Sequence, residues 1–369
     1  MLNGLKYILD IGSSCLRLNA VSRLGKQPHI VAKEVILYDG YMDGEFLSPD
    51  EIIDNLSTLI ENMHQKMRKP IKSITVGVPS DFCVCVCKRI SRQFETAHKL
   101  TSAEVDDLYS SNSSFGDSDE YAVINYSPMQ FVLDDNVKTL SPVGKLTTSL
   151  VLDASFVLAK RKFIDFMLDK LHTLGVGDVD FVSTALGQAL FCAEVNSVSN
   201  SIAVVDVGHI STSVAVLKGE GLALLSSFSM GGGHISSDIM QVLGMTFKDA
   251  EMIKRKAVLT IESEKNDYYE VCFKGNLIKA PIYLTNQVVK SRIESIAKVV
   301  KDILDIDQVF AGLTIYITGD GIANFKGAKS VMKDVTEHEV KDFKVPFDNT
   351  CEKFQTSALG LARLTNILR

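Results

Sequence analysis

The sequence predicts an α/β protein with two lobes built on a duplicated unit. Strand-like and helix-like segments alternate along most of the chain. Two matched segments recur far apart. Ile8-Leu9-Asp10-Ile11-Gly12-Ser13-Ser14 runs into a second strand, Cys15–Val21, and Val204-Val205-Asp206-Val207-Gly208 leads through Ser211-Thr212 into another. Each is an apolar strand, an Asp, one apolar residue, a Gly, a polar turn and a returning strand, which suggests a duplication. The length, 369 residues, suits two or three domains.

Composition narrows the class further. Apolar residues at 46 % and charged residues at 23 % exclude a disordered chain. Eight prolines and 24 glycines exclude a collagen-like or linker-dominated one. No apolar run reaches the ~18–20 residues that cross a bilayer. Met1 to Lys6 lacks the pattern of a signal peptide, so a cytoplasmic protein is expected. A net charge of −6 argues against a nucleic-acid partner. Seven cysteines, an odd number with no export signal, read as reduced thiols. Cys83, Cys85 and Cys87 alternate with valines on one strand face. They read as small apolar strand residues, since no nearby histidine or second pair completes four metal ligands.

Tyr7–Asp10 reads as a buried strand, followed by a turn-rich stretch from Asp39 to Gly44. Ser48-Pro49-Asp50-Glu51 opens a helix, with Ser48 as N-cap, Pro49 at N1 and Glu51 at N3. Its stripe is Ile52, Ile53, Leu56, Leu59, Ile60 and Met63, and Pro70 stops it. Lys72–Val78 is the next strand. From Asp81 to Leu158 the pattern changes to a small strand-rich insert. It holds the Cys83–Cys87 strand, a helix opened by Thr101-Ser102-Ala103-Glu104, and a polar surface loop from Ser110 to Glu120. Strand-like runs follow at Tyr121–Ile124, Met129–Val132 and Leu146–Leu152. Lys162–Leu174 is a helix ended by Gly175. Ser201–Asp206 and Ser211–Leu217 are strands. Ser236–Leu243, Phe247–Lys256 and Asn286–Leu304 are helices. Leu313–Thr318 is a strand into a glycine turn, and Thr356–Leu368 a last apolar helix.

The paired turns have the chemistry of a polyphosphate site. Glycine lets backbone N–H groups approach phosphate, and small hydroxyls add hydrogen bonds without blocking it. An Asp at each strand end suits a hydrated Mg²⁺ held through water. Asp10, Gly12, Ser13 and Ser14 facing Asp206, Gly208, Ser211 and Thr212 fit that design, with Asp10 and Asp206 as the metal-side carboxylates. Ile315–Gly321 breaks from a strand into a glycine turn where a nucleoside fits against bare backbone. Met230-Gly231-Gly232-Gly233-His234 is either a further turn at the ligand or a flexible hinge.

This order of motifs resembles the actin/Hsp70/sugar-kinase superfamily, and within it the FtsA family of bacterial cell-division proteins. Leu9–Ser14, Ile71–Pro79, Ser141–Leu146, Met230–Asp238 and Ala250–Lys256 carry the resemblance, which spans nearly the whole chain. It implies a duplicated actin-like ATPase (ribonuclease H-like) fold, two lobes around a nucleotide cleft, with an FtsA-type 1C (SHS2) insert. The implied division is subdomain 1A at 1–80 and 161–200, 1C at 81–160, 2A at 201–234 and, with the closing helix, 311–369, and 2B at 235–310. It implies ATP with Mg²⁺ as ligand, self-association into filaments, FtsZ and other divisome proteins as partners, and a place at the cytoplasmic face of the membrane at the septum. Asp10, Gly12, Ser13 and Ser14 match the first phosphate loop, and Asp206, Gly208, Ser211 and Thr212 the second. Gly231, Gly232 and Gly233 match the turn near nucleoside and phosphates. Glu251 and Lys254 match the 2B helix facing adenine and ribose, and Thr318, Gly319 and Gly321 the adenosine loop.

Two departures stand out. His209 and Ile210 replace glycines of the second phosphate loop, and β-branched Ile210 resists positive φ. Asp320 replaces a glycine of the adenosine loop and adds negative charge. All three put a side chain or a charge where backbone meets the ligand and work against ATP binding, which leaves open whether the expected ATP is held. His209 is read either as a solvent-facing turn residue or as a phosphate contact. Gln188 falls near the attacking water or in a core helix. No catalytic residue is assigned, and without an evident general base fast hydrolysis is not expected. FtsA proteins also finish with a linker and an amphipathic membrane helix, whereas this chain stops at Arg369. Leu359, Leu361, Leu364, Ile367 and Leu368 read as sheet-packing residues more readily than as an interfacial face. Membrane attachment is then expected through a removed segment or a partner. The alternatives within the fold are a PilM-like pilus-assembly scaffold and a small-molecule kinase; a DnaK-type chaperone is disfavoured for want of a C-terminal substrate domain.

Overall fold

The structure is a computed structural model that describes residues 5–24, 27–114, 118–198, 201–264, 266–323, 325–343, 345 and 356–367. The first lobe begins with an antiparallel meander of β1 (Lys6–Ile11), β2 (Cys15–Leu24) and β3 (Gln27–Leu37). A short ribbon, β4 (Tyr41–Met42) with β5 (Glu45–Phe46), leads to helix α1 (Ile52–Met67). Ile52, Leu56, Leu59 and Met63 recur at helical spacing and are buried against the sheet. The start differs from the sequence reading. Pro49–Glu51 forms a 3₁₀ turn, and Ser48 caps nothing because its hydroxyl donates to Asp39 at 2.5 Å. Arg68, left-handed at φ 53°, ends the helix before Pro70 is reached. Strand β6 (Ser73–Val78) then joins β1 in parallel.

The strand-rich insert follows as β7 (Cys83–Lys99), α2 (Ser102–Ser110), β8 (Tyr121–Val132), β9 (Lys138–Thr139) and β10 (Leu146–Lys160). The sheet order is β7-β10-β8-β9. Its strands are longer than expected. The runs at Tyr121–Ile124 and Met129–Val132 are one strand, kept paired to β10 by two register shifts. The helix start is as read: Thr101 and Glu104 form a reciprocal capping box. Residues 115–117 of the polar loop lie outside the described residues. Helix α3 (Arg161–Thr173) and strand β11 (Asp178–Ser183) return the chain to the first sheet, and α4 (Thr184–Val195) crosses to the second lobe.

The second lobe repeats the plan. β12 (Ile202–Val207), β13 (Thr212–Lys218) and β14 (Gly221–Phe228) form the meander. Then come α5 (Gly232–Leu243), α6 (Phe247–Lys254), the hairpin β15 (Tyr268–Phe273) with β16 (Asn276–Pro281), and the long α7 (Ile282–Leu304). β17 (Thr314–Thr318), α8 (Ala328–Thr336), β18 (Glu339–Asp342) and α9 (Thr356–Ile367) complete it. The two main sheets have the orders β11-β6-β1-β2-β3 and β14-β13-β12-β17-β18. Each is a three-stranded meander whose first strand is extended by two parallel strands, so the internal echo marks a true structural duplication.

Helices α4 and α9 hold corresponding places, each following the last strand of its sheet. They cross in close contact because Gly187 and Gly360 lie back to back: a Cβ on Gly360 would meet the Gly187 backbone at 2.5 Å. Ala358, Leu359, Leu361, Ala362 and Leu364 are buried with Ile8, Val204 and Tyr316. The α9 leucines thus pack on both sheets. Leu368 and the side chain of Ile367 lie outside the described residues. Among the described residues no helix is long and apolar enough to cross a membrane.

Candidate functional site

The turn after β1 and the turn after β12 are built alike. Gly12 N–H donates to Cys15 O at 2.9 Å, and Gly208 N–H donates to Ser211 O at 2.9 Å. In each case the Asp stands two residues before the glycine, at the end of a buried strand. The two turns face each other across the cleft and touch: Ile210 N–H donates to Ser13 Oγ at 3.0 Å. Asp10 and Asp206 therefore open onto one cavity of about 630 Å³. That volume is within the ordinary range for small-molecule pockets.

Twelve of the sixteen expected ligand residues line this cavity: Asp10, Gly12, Ser13, Ser14, Asp206, Gly208, Ser211, Gly232, Glu251, Lys254, Gly319 and Gly321. Thr212, Gly231, Gly233 and Thr318 stand behind its wall. Thr212 donates its hydroxyl to Met230 O at 2.5 Å, and the Thr318 hydroxyl pairs with that of Thr356 at 2.8 Å. The glycine turn is a packing device. Gly232 N–H donates to Gly208 O at 2.8 Å, Gly233 N–H to His209 O at 2.7 Å, and Gly321 N–H to Val207 O at 2.8 Å. A Cβ on Gly232 would lie 2.6 Å from the Cα of Gly321. Three backbone segments thus converge, and a side chain on Gly231, Gly232 or Gly321 would collide with its neighbours. Gly319 is left-handed at φ 89°, which glycine alone adopts without strain.

The loop departures have definite outcomes. Neither His209 nor Ile210 is among the positive-φ residues, so the loop takes ordinary backbone and Ile210 carries no such strain. His209 is a half-buried wall residue of the cavity. Its ring lies edge-on to Phe247, centroids 6.2 Å apart, in space left by the missing side chain of Gly233. Burial and the nearby Lys254 charge push its imidazole below the usual range, so it is neutral at pH 7.

Arg17, Ser357 and Asp81 carry no role in the sequence reading, and Gln188 carries two, near the attacking water or in a core helix. Arg17 is paired with Asp10 by the β1–β2 register, and Nη1 lies 3.3 Å from Asp10 Oδ2. Its other nitrogen lies 3.6 Å from Asp320 of the second lobe, so one guanidinium links both sides of the cleft. Burial opposes its charge, but Asp10 and Asp320 outweigh that and raise its pKa. Ser357 of α9 donates to Asp10 Oδ2 at 2.7 Å. Gln188 of α4 donates Nε2 to Asp206 Oδ2 at 2.6 Å and contacts Thr356 Oγ1 at 3.2 Å. Asp81, just before β7, accepts from Ser211 Oγ at 3.2 Å, a further bridge between the lobes.

Electrostatics set what the cavity accepts. Five carboxylates (Asp10, Asp81, Asp206, Glu251, Asp320) face three cations (Arg17, Lys254, Arg255) among the lining residues. Burial pushes Asp206 up to about 6, with repulsion from Asp10 and Asp320 adding to it and the Gln188 hydrogen bond partly offsetting it. Burial likewise raises Asp81 to about 6, against the Ser211 hydrogen bond. Glu251 goes the other way. Burial alone would raise it, but Lys254 Nζ at 2.6 Å and Ser236 Oγ at 2.5 Å hold it below its usual value. Lys254 also donates to Gly232 O at 2.9 Å, tying α6 to the start of α5. The excess of facing carboxylates suits a hydrated divalent cation, whose charge offsets the Asp10 and Asp320 repulsion that adds to burial in raising Asp206; among the described residues no three such side chains cluster as direct ligands. A bare polyphosphate would be repelled.

Comparison with known proteins agrees with this geometry. The family model described as "Cell division protein FtsA" matches residues 203–358. Cell division protein FtsA of Enterococcus faecalis is 21 % identical over 344 residues, covering 92 % of this chain and 78 % of that protein. Among solved structures, a PilM-PilN type IV pilus biogenesis complex superposes with TM-score 0.62 at 15 % identity, covering 97 % of each chain. MreB5 of Spiroplasma citri bound to ADP superposes with TM-score 0.60 at 12 % identity, covering 100 % of this chain and 98 % of that one. The fold is that of the actin-like ATPases, and the chain is similar to Cell division protein FtsA.

Proposed function

We propose that the chain is an ATP-binding, filament-forming adaptor of cell division that binds FtsZ and links the division ring to the membrane. The carrying observation is the convergence of both acidic turns and the β17 glycine loop on one cavity. In this reading Asp10, Gly12, Ser13 and Ser14 meet the phosphates from one side, and Asp206, Gly208 and Ser211 from the other. Asp10 and Asp206 would hold a hydrated Mg²⁺, which neutralises phosphate charge when bound. Glu251 and Lys254 flank the nucleoside with Gly319 and Gly321. Thr212, Gly231, Gly233 and Thr318 support the wall from behind. Likeness to MreB5 bound to ADP supports a nucleotide ligand, and FtsA relatives support the division role. The insert is the docking point for other division proteins, and a partner or a further segment supplies the membrane tether at the cytoplasmic face. Turnover is slow, because the Gln188 amide is committed to Asp206.

Sedimentation with and without Mg²⁺-ATP, alone and with FtsZ, tests the proposal. The wild type is expected to pellet with ATP and to co-sediment with FtsZ, and Asp206→Ala to lose the ATP response. A wild type indifferent to ATP would indicate a nucleotide-independent scaffold. The likeness to PilM supports a second reading, a pilus-assembly scaffold. A pull-down that captures a pilus-protein tail and leaves FtsZ behind would favour it.

A further inference from the structure

Ser211 and Asp81 come from different lobes and meet in the wall of the cavity that both line. Ser211 closes the second acidic turn, where its carbonyl accepts from Gly208 N–H at 2.9 Å. Its side chain reaches across to the first lobe and donates to Asp81 Oδ2 at 3.2 Å, with the residue only 7 % exposed. Three neighbouring hydroxyls are placed differently. Thr212 is turned away from the cavity and donates to Met230 O at 2.5 Å, and Ser13 Oγ accepts from Ile210 N–H. Ser357 donates to Asp10, but that carboxylate also holds the Arg17 guanidinium. Asp81 has no ion pair among the described residues. Burial lifts it to about 6, so at pH 7 it is ionised yet accepts a proton more readily than an ordinary carboxylate.

We infer that Ser211 is a site of self-phosphorylation, with Asp81 as the general base and a nucleoside triphosphate in the cavity as the phosphoryl donor. The inference rests on the nucleotide reading of the cavity. A serine hydroxyl has one proton and two lone pairs. Here the proton points to the carboxylate and Tyr41 stands beside the same hydroxyl, so a lone pair remains for phosphorus. In the nucleotide reading Asp206, Gly208 and Ser211 border the phosphates, which puts the nucleophile on the wall that the terminal phosphate meets. An aspartate that accepts the proton of an attacking hydroxyl is a recurring part of phosphoryl transfer.

The step balances. Ser211 Oγ attacks the γ-phosphorus. The new O–P bond forms as the bond from phosphorus to the β–γ bridging oxygen breaks, and the nucleoside diphosphate leaves with that electron pair. The hydroxyl proton passes to Asp81. Water is a poor competitor, because the Gln188 amide is committed to Asp206. Phosphoserine carries about −1.5 to −2 charge. On Ser211 that charge repels the Asp81 carboxylate and removes the hydrogen bond by which the two residues bridge the lobes. The modified chain is thus a loosened form that rebinds triphosphate less well.

The test incubates the whole chain with Mg²⁺ and ATP radiolabelled at the γ-phosphate, while calorimetry follows binding in parallel. Label is expected on Ser211 by peptide mapping, at a rate per chain that does not depend on protein concentration. Ser211→Ala is expected to abolish it, and Asp81→Asn to slow it at least about a hundredfold. Carbon-13 NMR of the ligand-free chain gives a second readout. Ser211→Ala is expected to raise the Asp81 midpoint above about 6, because the hydroxyl opposes the effect of burial. The other ionisable groups near Asp81, namely Asp43, Lys160, Tyr38, Tyr41 and Cys83, stay in place in that variant. Wild type that binds ATP without gaining label, label on another residue, full labelling of Asp81→Asn, or an Asp81 midpoint indifferent to Ser211 would overturn the inference and leave the nucleotide reading standing. Wild type that binds no ATP would overturn both.

Discussion

Replacing Asp206 by asparagine is expected to stabilise the ligand-free protein while removing its response to magnesium. The carboxyl lies deep in the cleft, and burial with the Asp10 and Asp320 charges moves it from 3.8 to about 6. At ~1.4 kcal/mol for each tenfold change in proton affinity, the ionised form costs the fold roughly 3 kcal/mol at pH 7.5. Asparagine keeps the shape and an oxygen for the Gln188 amide, at 2.6 Å in the wild type, and drops the charge. A gain of about 1–3 kcal/mol follows, since part of the carboxylate's hydrogen-bond strength is lost with it. The sign carries a pH signature. Because the folded pKa is raised, the native state holds the proton more tightly than the unfolded chain. Its stabilising contribution is complete below pH ~3.8 and is lost as pH rises through about 6. The advantage of the variant is therefore largest above pH 7 and falls to about half near pH 5. Chemical denaturation of both proteins at pH 7.5 and pH 5.0 measures it. A variant less stable than wild type at pH 7.5, or a difference that ignores pH, would refute the reasoning.

Three further outcomes follow from the same geometry. Arg17→Met strips Asp10, almost wholly buried, of its cation and is expected to cost about 2–4 kcal/mol, read from denaturation midpoints; an unchanged midpoint would mean that the guanidinium does not hold the cleft together. Gly360→Ala forces a methyl against the Gly187 backbone at 2.5 Å and is expected to cost about 1–3 kcal/mol by overpacking. An unaltered melting curve would separate α4 from α9. Magnesium binding should weaken as pH falls through about 6, where protons compete at Asp206 and Asp81; equal affinity at pH 7.5 and pH 5.5 would place the ion elsewhere.

The parts of the site legible in the sequence are those written in local punctuation. Each Asp-x-Gly turn announces a strand end, and the repeat of that pattern announces the duplication, which the matching sheet orders bear out. Arg17 was invisible because its partner is set by hairpin register: seven residues from Asp10, it is the residue directly across the ladder. A register count outward from the turn would have found it. Gln188 and Ser357 reach the acidic pair only because two glycines let α4 and α9 cross closely, a long-range contact that composition does not encode. The reading of Ile210 failed for a simpler reason. A residue that takes the place of a glycine need not inherit its φ. Ser48 has the local sequence of an N-cap, but Asp39 offered its hydroxyl a competing acceptor.

The central claim is that the two acidic turns, Asp10 on one lobe and Asp206 on the other, act together on a single magnesium-bound triphosphate. Calorimetric titration of the whole chain with ATP, with and without Mg²⁺, measures it most directly. One saturable site that requires the metal and vanishes in both Asp10→Ala and Asp206→Ala is the predicted result. Binding that persists without magnesium, or that survives loss of either carboxylate, would contradict it.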